Sequence, residues 1–337
     1  MVGPELPKLK TWVRFPSAAP YSTDPAPAGF FVSGAPVFKQ LTIYQLADGL
    51  TTTLEQAEAA LAAQPFTPCG PTQTLSVGWV APRGLPHAPL VEAVAGHWLM
   101  RFRIETKRVP ATVLRQELQE RCARIQAEEG RTPGRREQRE LKDAIEQELL
   151  PLAFPASADV QVWLDRTQGR LALDTTVARR IDLVTSALTE SLSGLRLQPL
   201  QTALTPASAM AGWLAADATD WPPHFAPGRE VELKGDGDRP AVVRFTRHVL
   251  DREDMQRHLA QGKRPTRLAL DWEGRVQFVL TDTLQLRRLA FDDGVFTAQG
   301  QADDGGFDTD AAIATGELGA LLTDLIQALG GLAPTPP

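Results

Sequence analysis

The 337-residue chain has few of the residues that build disulfide frameworks, metal centres or membrane spans. Its two cysteines, Cys69 and Cys122, are too few for a disulfide scaffold and indicate a reducing compartment. No apolar run reaches the roughly 18 residues of a transmembrane helix, so we expect no membrane partner. Residues 1–34 lack the continuous apolar segment of a signal peptide. These absences predict a cytoplasmic protein.

Motifs for common catalytic and nucleotide-binding sites are also missing. The chain has no G-x-x-x-x-G-K-[ST] or H-E-x-x-H segment, and its five histidines show no ligand spacing. It has no zinc-finger or RNP motif, and no helix-turn-helix is evident. We therefore predict no catalytic residue, no metal and no cofactor. A metal-dependent DNA-processing enzyme that uses scattered carboxylates is the alternative, because a sequence does not show which carboxylates converge.

Two segments offer reactive side chains nonetheless. The acidic run Asp303–Asp310 has carboxylates for a divalent ion, but it lacks the terminal glutamate of an EF-hand, and a solvated turn is the simpler interpretation. Cys69 lies in F-T-P-C-G-P, and a nucleophilic role requires His87 or another base beside it. A lone cysteine in apolar surroundings is more often a small buried side chain, which is our interpretation of Cys69 and of Cys122.

Folding is expected to begin after a proline-rich leader. Residues 1–35 have the composition of a disordered segment, and V-F-K-Q-L-T-I-Y from Val37 predicts the first strand. Thr52 and Glu55 fit the capping box of a following helix. The predicted buried face of that helix consists of Leu54, Ala57 and Leu61.

A strand and two charged helices come next. Residues 97–105 alternate in hydrophobicity, which predicts a half-buried strand with Arg101 and Arg103 on its open face. Apolar residues then recur at helical spacing on either side of E-E-G-R-T-P-G. They are Leu114, Leu118, Cys122, Ile125, Leu141, Ile145 and Leu149. With Thr132–Pro133 as the cap of the second helix, the pattern predicts a projecting helical finger at 106–150, each helix about 27 Å long.

The rest of the chain mixes strands and helices. D-V-Q-V-W-L-D-R-T-Q-G-R-L-A-L-D and L-A-L-D-W-E-G-R-V-Q-F-V-L each predict a β-hairpin. Helices are predicted at Thr176–Leu192 and in a leucine-rich segment that ends at Gly330–Gly331, while residues 203–240 are expected to bridge two lobes. The fold class is therefore α+β, with antiparallel sheets and packed helices. The predicted units are a leader (1–35), a central α+β domain (36–105 plus 151–202), the finger (106–150), a C-terminal α+β domain (203–331) and a frayed tail (332–337).

Positive charge is concentrated in one part of an acidic chain. The net charge is −6, yet residues 101–142 hold twelve Lys/Arg and seven Glu, so this segment is +5 and the rest is −11. One interpretation is a solvated helix pair with Glu/Arg contacts at i,i+4 spacing. The candidate contacts are Glu117/Arg121, Glu120/Arg124 and Arg136/Glu140. The other is a surface for the phosphates of a nucleic acid, with strong salt dependence and weak sequence dependence. Smaller basic clusters are Arg179–Arg180, Arg244/Arg247 and Lys263/Arg264/Arg267.

Several segments together resemble the recombination-associated protein RdgC family. P-F-T-P-C-G before V-G-W-V-A-P, L-L-P-L-A-F, L-A-L-D-W with V-Q-F-V-L, and T-G-E-L-G-A-L-L match in order and spacing over about residues 36–331. The resemblance implies a non-enzymatic nucleoid protein that binds double-stranded DNA with little sequence preference and restrains RecA-promoted strand exchange. It also implies a ring-shaped homodimer around a positively charged hole, which suits an acidic chain with a basic segment. A protein-interaction scaffold that uses the finger is the alternative.

Carried onto this sequence, the resemblance places Arg103, Lys107 and Arg131 in basic parts of the family pattern, and Arg247 in its segment before L-A-L-D-W. The predicted nucleic-acid contacts are Arg101, Arg103, Lys107, Arg108, Arg131, Arg135, Arg136, Arg247, Lys263 and Arg264. Phe154 in L-L-P-L-A-F is predicted to lie at the dimer interface or DNA gate, or else to hold the finger against the body. The finger tip, R-T-P-G-R-R-E, departs from the family pattern.

Overall fold

The computed structural model describes residues 38–47, 50–297 and 306–334, which all fall in one compact unit spanning 35–337. The predicted leader and residues 303–305 of the acidic run lie outside the described residues. The described part of the tail continues the fold, because Leu332 pairs with Thr202 and the Ala333 N–H donates to the Gln201 carbonyl.

Alternating apolar and polar residues form twelve strands within these residues, and the strands pair antiparallel. The strands are β1 Gln40–Leu46, β2 Leu75–Val80, β3 Val91–Val94, β4 His97–Lys107, β5 Pro155–Asp165, β6 Arg170–Leu173, β7 Leu197–Pro199, β8 Phe225–Lys234, β9 Val242–Thr246, β10 Arg264–Trp272, β11 Val276–Thr281 and β12 Leu286–Phe291. Hydrogen-bonded neighbours follow the order β2-β4-β5-β6-β1-β12-β11-β10-β8-β9, with β3 beside β4 and β7 beside β1.

Eight α-helices of the described residues complete the α+β fold that the sequence predicts. They are α1 Leu54–Ala62, α2 Ala111–Glu129, α3 Arg135–Leu149, α4 Ala178–Ser191, α5 Pro206–Ala215, α6 Arg252–Ala260, α7 Asp293–Thr297 and α8 Phe307–Ala328. Short 3-10 helices lie at Leu150–Leu152 and Ala218–Asp220. The two predicted β-hairpins are β5–β6 and β10–β11, and α4 and α8 are the predicted later helices. Gly330 and Gly331 have φ of 82° and 88° just after α8, as a helix stop requires.

Strand β1 joins two halves of the sheet. Gln40 and Leu41 pair with β12, whereas residues 42–45 pair with β6 and residues 44–46 with β7. The strands on the β6 side and the strands on the β12 side are therefore parts of one hydrogen-bonded sheet. The division into a central and a C-terminal domain stays a prediction.

Two main cores stabilise this arrangement. One core joins a face of both half-sheets to α5 and α8, and it contains Trp163, Leu268 and Leu321. The other joins the opposite face of the β6-side strands to α1 and α4, and it contains Phe102 and Leu188. Fully burying a side chain of this size contributes about 1.5–3 kcal/mol, so these two cores are the main source of stability.

The capping box of α1 is one residue from its predicted position. The Gln56 N–H donates to Thr53 Oγ1 at 3.3 Å, and Gln56 Oε1 accepts from the Thr53 N–H at 3.0 Å. The Thr52/Glu55 assignment is wrong because three successive threonines offer the same capping side chain. The predicted inner face is correct, since Ala57 and Leu61 are fully buried.

Helices α2 and α3 pack against each other as a helical hairpin, Ala111–Leu149, within the predicted finger. Its apolar stripe is buried at the end of the hairpin nearest the sheet, where Leu114 and Ile145 pack with Val109 and Leu150. The rest of the stripe is only partly covered, which explains why polar residues predominate in both helices.

The tip of the helical hairpin differs from the prediction. Gly130, at φ 69°, ends α2, and Gly134 rather than Thr132 precedes the first residue of α3. The Thr132 hydroxyl donates to Gln126 Oε1 at 2.6 Å instead of capping α3. The N-cap assignment failed because a side chain on the preceding helix competes for that hydroxyl.

Residues 203–240 do not form a bridge. They contain α5, whose Met210 and Trp213 are buried, and β8, which pairs with β10 on one side and β9 on the other. Thr205 caps α5 by accepting from the Ser208 N–H at 3.2 Å. The prediction was wrong because the elements tolerate these residues: Pro206 begins α5, and Pro227 and Gly228 lie at an irregularity in the β8–β10 pairing.

Candidate nucleic-acid interface

A group of arginines lies on the face of β8–β12 opposite the core. On β10 and β11, Leu268, Leu270, Phe278 and Leu280 point into the core, so Arg267 and its alternate neighbours point the other way. We call this group the arginine face. It consists of Arg244 on β9, Arg264 and Arg267 on β10, and Arg287 and Arg288 on β12.

The strand order brings these arginines together from separate parts of the sequence. Glu232 of β8 pairs with Arg244 on one side and Arg267 on the other, while Arg287 pairs with Val279 and with Gln40 of β1. At about 4.8 Å per strand, the distance from β12 to β9 is about 19 Å, the axial rise of five to six nucleotides. The arginine face is therefore long enough to contact several phosphates.

Two glutamates of β8 hold part of the arginine face in place. Glu232, whose side chain is 13% exposed, accepts from Arg244 and from the Thr266 hydroxyl and lies 3.7 Å from Arg267. Burial raises the pKa of Glu232, but the Arg244 and Thr266 hydrogen bonds outweigh it and keep that pKa below its ordinary value. Glu230 accepts from Arg288 at 2.6 Å. The Glu232 carboxylate therefore stays charged at neutral pH.

The arginine face retains positive charge despite these pairs. Arg244, Arg267, Arg287 and Arg288 line one depression with Glu230, and Glu232 pairs with the first two. Four arginines and two glutamates leave +2 in this part of the face. A planar guanidinium that already pairs with one carboxylate still has N–H groups for a phosphate.

Three predicted contacts lie in or beside this region. Arg264 is exposed at the start of β10, 3.8 Å from Asp236. Arg247 is exposed at the end of β9 with a left-handed backbone, φ 56°. Lys263 does not extend outward, because its ammonium group contacts His258 Nδ1 at 3.1 Å at the end of α6.

The pair Arg101 and Arg103 is less open than predicted. Both approach Asp159, at 3.9 Å and 2.7 Å, and Arg101 also donates to the Ala81 carbonyl. Burial lowers the pKa of Arg101, and the Arg103 guanidinium lies 5.6 Å from the Phe66 ring. The face expected to be open is partly closed because β2 and the segment before it lie alongside β4.

Lys107 lies inside the protein. It is 6% exposed, and its ammonium group donates to the carbonyls of Pro151 at 3.2 Å and Pro71 at 3.4 Å. Such a lysine joins the helical hairpin to the sheet and does not face a ligand in this conformation. Its neighbour Arg108 is exposed and has no ion-pair partner within the described residues.

The arginines at the hairpin tip are largely neutralised by glutamates. Arg131 donates to Glu137 at 2.7 and 2.8 Å and to Glu129 at 2.6 Å, and these hydrogen bonds raise its pKa. Arg136 pairs with Glu140 at 2.9 Å, as the i,i+4 spacing predicts. Arg135, the third predicted nucleic-acid contact at the tip, is exposed. Three arginines beside three glutamates give this part of the molecule little net charge.

The other predicted i,i+4 contacts do not form. Arg121 donates across the helical hairpin to Glu148 instead of pairing with Glu117, and Glu120 accepts from Gln116 rather than from Arg124. Arg121 takes Glu148 because the packing of α2 against α3 places that carboxylate beside it, which spacing along one helix does not reveal.

Phe154 is 92% exposed, and the nearby Leu152 is 75% exposed. The alternative that Phe154 holds the hairpin against the body is therefore wrong, because the ring contacts too little of the protein. Contiguous exposed apolar patches mark surfaces that bind another macromolecule, whereas single exposed apolar side chains are common.

Cys69 forms structural contacts with Glu105. The Cys69 N–H donates to Glu105 Oε1 at 2.7 Å, and its thiol lies 3.6 Å from the Glu105 carbonyl oxygen. Burial, followed by the charge of Glu105, raises the pKa of this thiol, which opposes formation of a nucleophilic thiolate.

The described residues contain no group of three or more His, Cys, Asp or Glu that is arranged to hold a metal ion. No helix among them is long and apolar enough to span a bilayer.

The sequence pattern alone did not identify the whole arginine face. Arg244 and Arg267 were recognised only as members of small basic clusters, and Arg287 and Arg288 were missed. Alternation in R-L-A-L-D-W places Arg267 opposite the leucines, and alternation after Leu286 does the same for Arg287. Arg288 joins this face because the β11–β12 register is irregular beside it. Only the strand order shows that they lie on the same face.

A family model described as "Putative exonuclease, RdgC" matches residues 37–332. Curated relatives named "Recombination-associated protein RdgC" include those of Cupriavidus necator, Herminiimonas arsenicoxydans and Bordetella pertussis, which are 39%, 38% and 36% identical to this chain over 297 residues. Each alignment covers 87% of this chain and 98% of the relative.

Proposed function

Because this chain belongs to the RdgC family of recombination-associated proteins, we propose that it binds double-stranded DNA without sequence preference through the arginine face. The observation that carries the proposal is the convergence of five arginines from three strands on one exposed sheet face. Guanidinium groups spaced along a sheet suit a phosphate backbone, which carries the same charge at every nucleotide.

The chemistry of the arginine face favours a duplex over an unpaired strand. The aromatic side chains of β8–β12 belong to or pack against the inner core. They are Phe225, Phe245, Trp272, Phe278 and Phe291. Single-strand binding relies on bases stacked on exposed aromatic rings, whereas duplex binding needs only the outward-facing phosphates.

We further propose that the protein acts as a ring-shaped homodimer in the nucleoid, with the finger projecting and Phe154 at one contact between subunits. An isologous pair closes into a ring only through two contacts, and the exposed Phe154 and Leu152 provide apolar area for one of them. A protein that surrounds a duplex restricts the access of the recombinase to that DNA. This restriction is the proposed way in which it restrains RecA-dependent recombination.

A salt titration tests the proposed DNA binding. If the five arginines each contact a phosphate, the slope of log affinity against log salt is about −4.5, at −0.9 per phosphate. Fluorescence anisotropy with a labelled duplex and a scrambled duplex of the same length measures the salt slope and the dependence of affinity on sequence. An affinity that does not change with salt, or that differs more than about tenfold between the two sequences, contradicts the proposal.

A nuclease is the second candidate, because the matching family model is described as an exonuclease. Incubation of end-labelled duplex with the protein and Mg²⁺ or Mn²⁺ distinguishes the two functions. We expect no release of nucleotides. Degradation that follows the protein through purification, and that Asp→Asn variants abolish, would establish the enzyme instead.

A further inference from the structure

Two interruptions of strand pairing lie side by side on the exposed face of β8–β12. The β8–β10 register shifts between Leu268 and Leu270, and the β11–β12 register shifts between Gln277 and Val279. Ala269 pairs with Val279, so both irregularities flank one cross-strand pair. β-Bulges redirect side chains and occur preferentially beside functional sites.

A depression of about 630 Å³ lies at these bulges. Small residues line part of it, among them Gly228, Ala269 and Ala290. A Cβ on Gly228 would lie 2.6 Å from the Ala269 Cβ, so only glycine allows this close approach. Glycine at this position therefore reflects the close packing of β8 against β10 beside the depression.

Two arginines at this depression adopt a backbone conformation that arginine rarely takes. Arg247 has φ 56° and Arg288 has φ 52°, both in the left-handed region that favours glycine. Residues other than glycine that adopt the left-handed conformation cluster at binding and active sites.

The depression has more cationic than anionic groups. Arg229, from the β8 bulge, lines it together with Arg247 and Arg288. In the described residues neither Arg229 nor Arg247 has an ion-pair partner, whereas Arg288 pairs with Glu230 at 2.6 Å. Asp271 also lines the depression, and its Oδ1 accepts from the Gly274 N–H. Three arginines and two carboxylates leave +1, with two guanidinium groups available.

We propose that this depression binds one phosphodiester group of the DNA backbone, with Arg229 and Arg247 as donors and Arg288 oriented by Glu230. The inference rests on the proposed DNA binding and adds a specific position to it. A phosphate fits because it is compact and accepts several N–H groups from different directions. Free phosphate ion presents the same chemistry and should compete for the position.

Glycine substitutions test the role of the guanidinium groups without disturbing the backbone. Arg247→Gly and Arg288→Gly keep access to the left-handed conformation and remove the side chain. We expect each to lower duplex affinity several-fold at 0.1 M salt and to reduce the salt slope by about 0.9. Arg257→Ala is the matched control, because Arg257 is 62% exposed and pairs with Asp254, just as Arg288 is 62% exposed and pairs with Glu230.

The outcomes separate this inference from the proposed function. If the wild-type protein binds no duplex, both are wrong. If it binds and both glycine variants keep its affinity and slope, the phosphate position is wrong while the DNA-binding proposal stands. If Arg288→Ala weakens binding but Arg288→Gly does not, the backbone rather than the guanidinium matters, which also contradicts the inference.

A competition experiment identifies the source of the phosphate. Inorganic phosphate, exchanged for chloride at constant ionic strength, should weaken duplex binding by the wild-type protein, and the effect should disappear in Arg247→Gly/Arg288→Gly. Equal effects of phosphate and chloride on the wild type would contradict a phosphate-specific position. If phosphate-31 NMR shows phosphate binding that the double variant loses while its duplex affinity is unchanged, the position takes free phosphate and not DNA.

Discussion

At the scale of single residues, Glu105 shows how a charged side chain in a basic segment can have a structural role. It is 7% exposed, and it accepts from the Cys69 N–H and from the Ser157 hydroxyl at 3.0 Å. The Cys69 hydrogen bond is the main reason why the pKa of Glu105 lies below its ordinary value. The turn F-T-P-C-G-P is therefore fixed to β4 by one carboxylate.

Glu105→Gln should destabilise the protein by about 1–3 kcal/mol at pH 7, because the amide cannot accept from both donors. Since its folded pKa is depressed, the contribution of Glu105 is present above its unfolded pKa of about 4.3 and is lost as pH falls through the folded pKa. The stability difference between wild type and Glu105→Gln should therefore shrink below about pH 4. Urea unfolding at pH 7 and at lower pH measures it.

Cys69→Ser is the control for this prediction. It keeps the backbone N–H that donates to Glu105 and changes only the thiol. We expect a loss below about 1 kcal/mol and unchanged DNA binding. Loss of DNA binding in a folded Cys69→Ser protein would show that the thiol has a role beyond packing.

At the scale of secondary-structure elements, arginines have different environments in the helical hairpin and in the sheet. At the hairpin tip, Arg131 and Arg136 pair with glutamates of the same hairpin. On the sheet, Arg244 and Arg267 share the single carboxylate of Glu232. Local charge balance, rather than the number of arginines, decides which surface attracts a polyanion.

Two triple variants of equal charge change compare these surfaces. Arg244→Gln/Arg267→Gln/Arg287→Gln should weaken duplex binding by about a hundredfold or more at 0.1 M salt, from three lost phosphate contacts.

Arg131→Gln/Arg135→Gln/Arg136→Gln should weaken binding less than about tenfold under the same conditions, because glutamates already neutralise the tip. Circular dichroism confirms that both variants are folded. If the tip variant loses more affinity than the sheet variant, the finger is the main DNA contact. If neither changes DNA binding, an interaction scaffold becomes the better interpretation of the hairpin.

At the scale of the whole molecule, the proposed dimer contact depends on the exposed Phe154. Phe154 lies where the chain returns from the helical hairpin to β5, and its 92% exposure means that it contributes little to the stability of one subunit. Burying a phenylalanine in an interface contributes about 1.5–3 kcal/mol, which is enough to change a dimer equilibrium measurably.

Phe154→Glu should raise the dimer dissociation constant at least about tenfold and leave the thermal stability of the subunit unchanged. Sedimentation velocity over a concentration series gives the first quantity, and calorimetry under monomeric conditions gives the second. Val249→Glu is a suitable control, since Val249 is 73% exposed in another part of the chain. Equal dissociation constants for Phe154→Glu and wild type would remove Phe154 from the interface.

The sequence by itself determined the α+β class, both β-hairpins, the paired charged helices and the last helix, because hydrophobic periodicity is local and reports which face of each element is buried. It did not determine the cap of α3, the cross-hairpin pairing of Arg121, or the role of residues 203–240, since each depends on a neighbour from another element. The tertiary structure alone decided which arginines lie on the same face. Arg244, Arg267 and Arg287 are far apart along the chain, and antiparallel registers through Glu232 and Val279 place them on one face. The same packing buried Lys107, which the basic pattern had marked as a contact, because its ammonium group satisfies two backbone carbonyls.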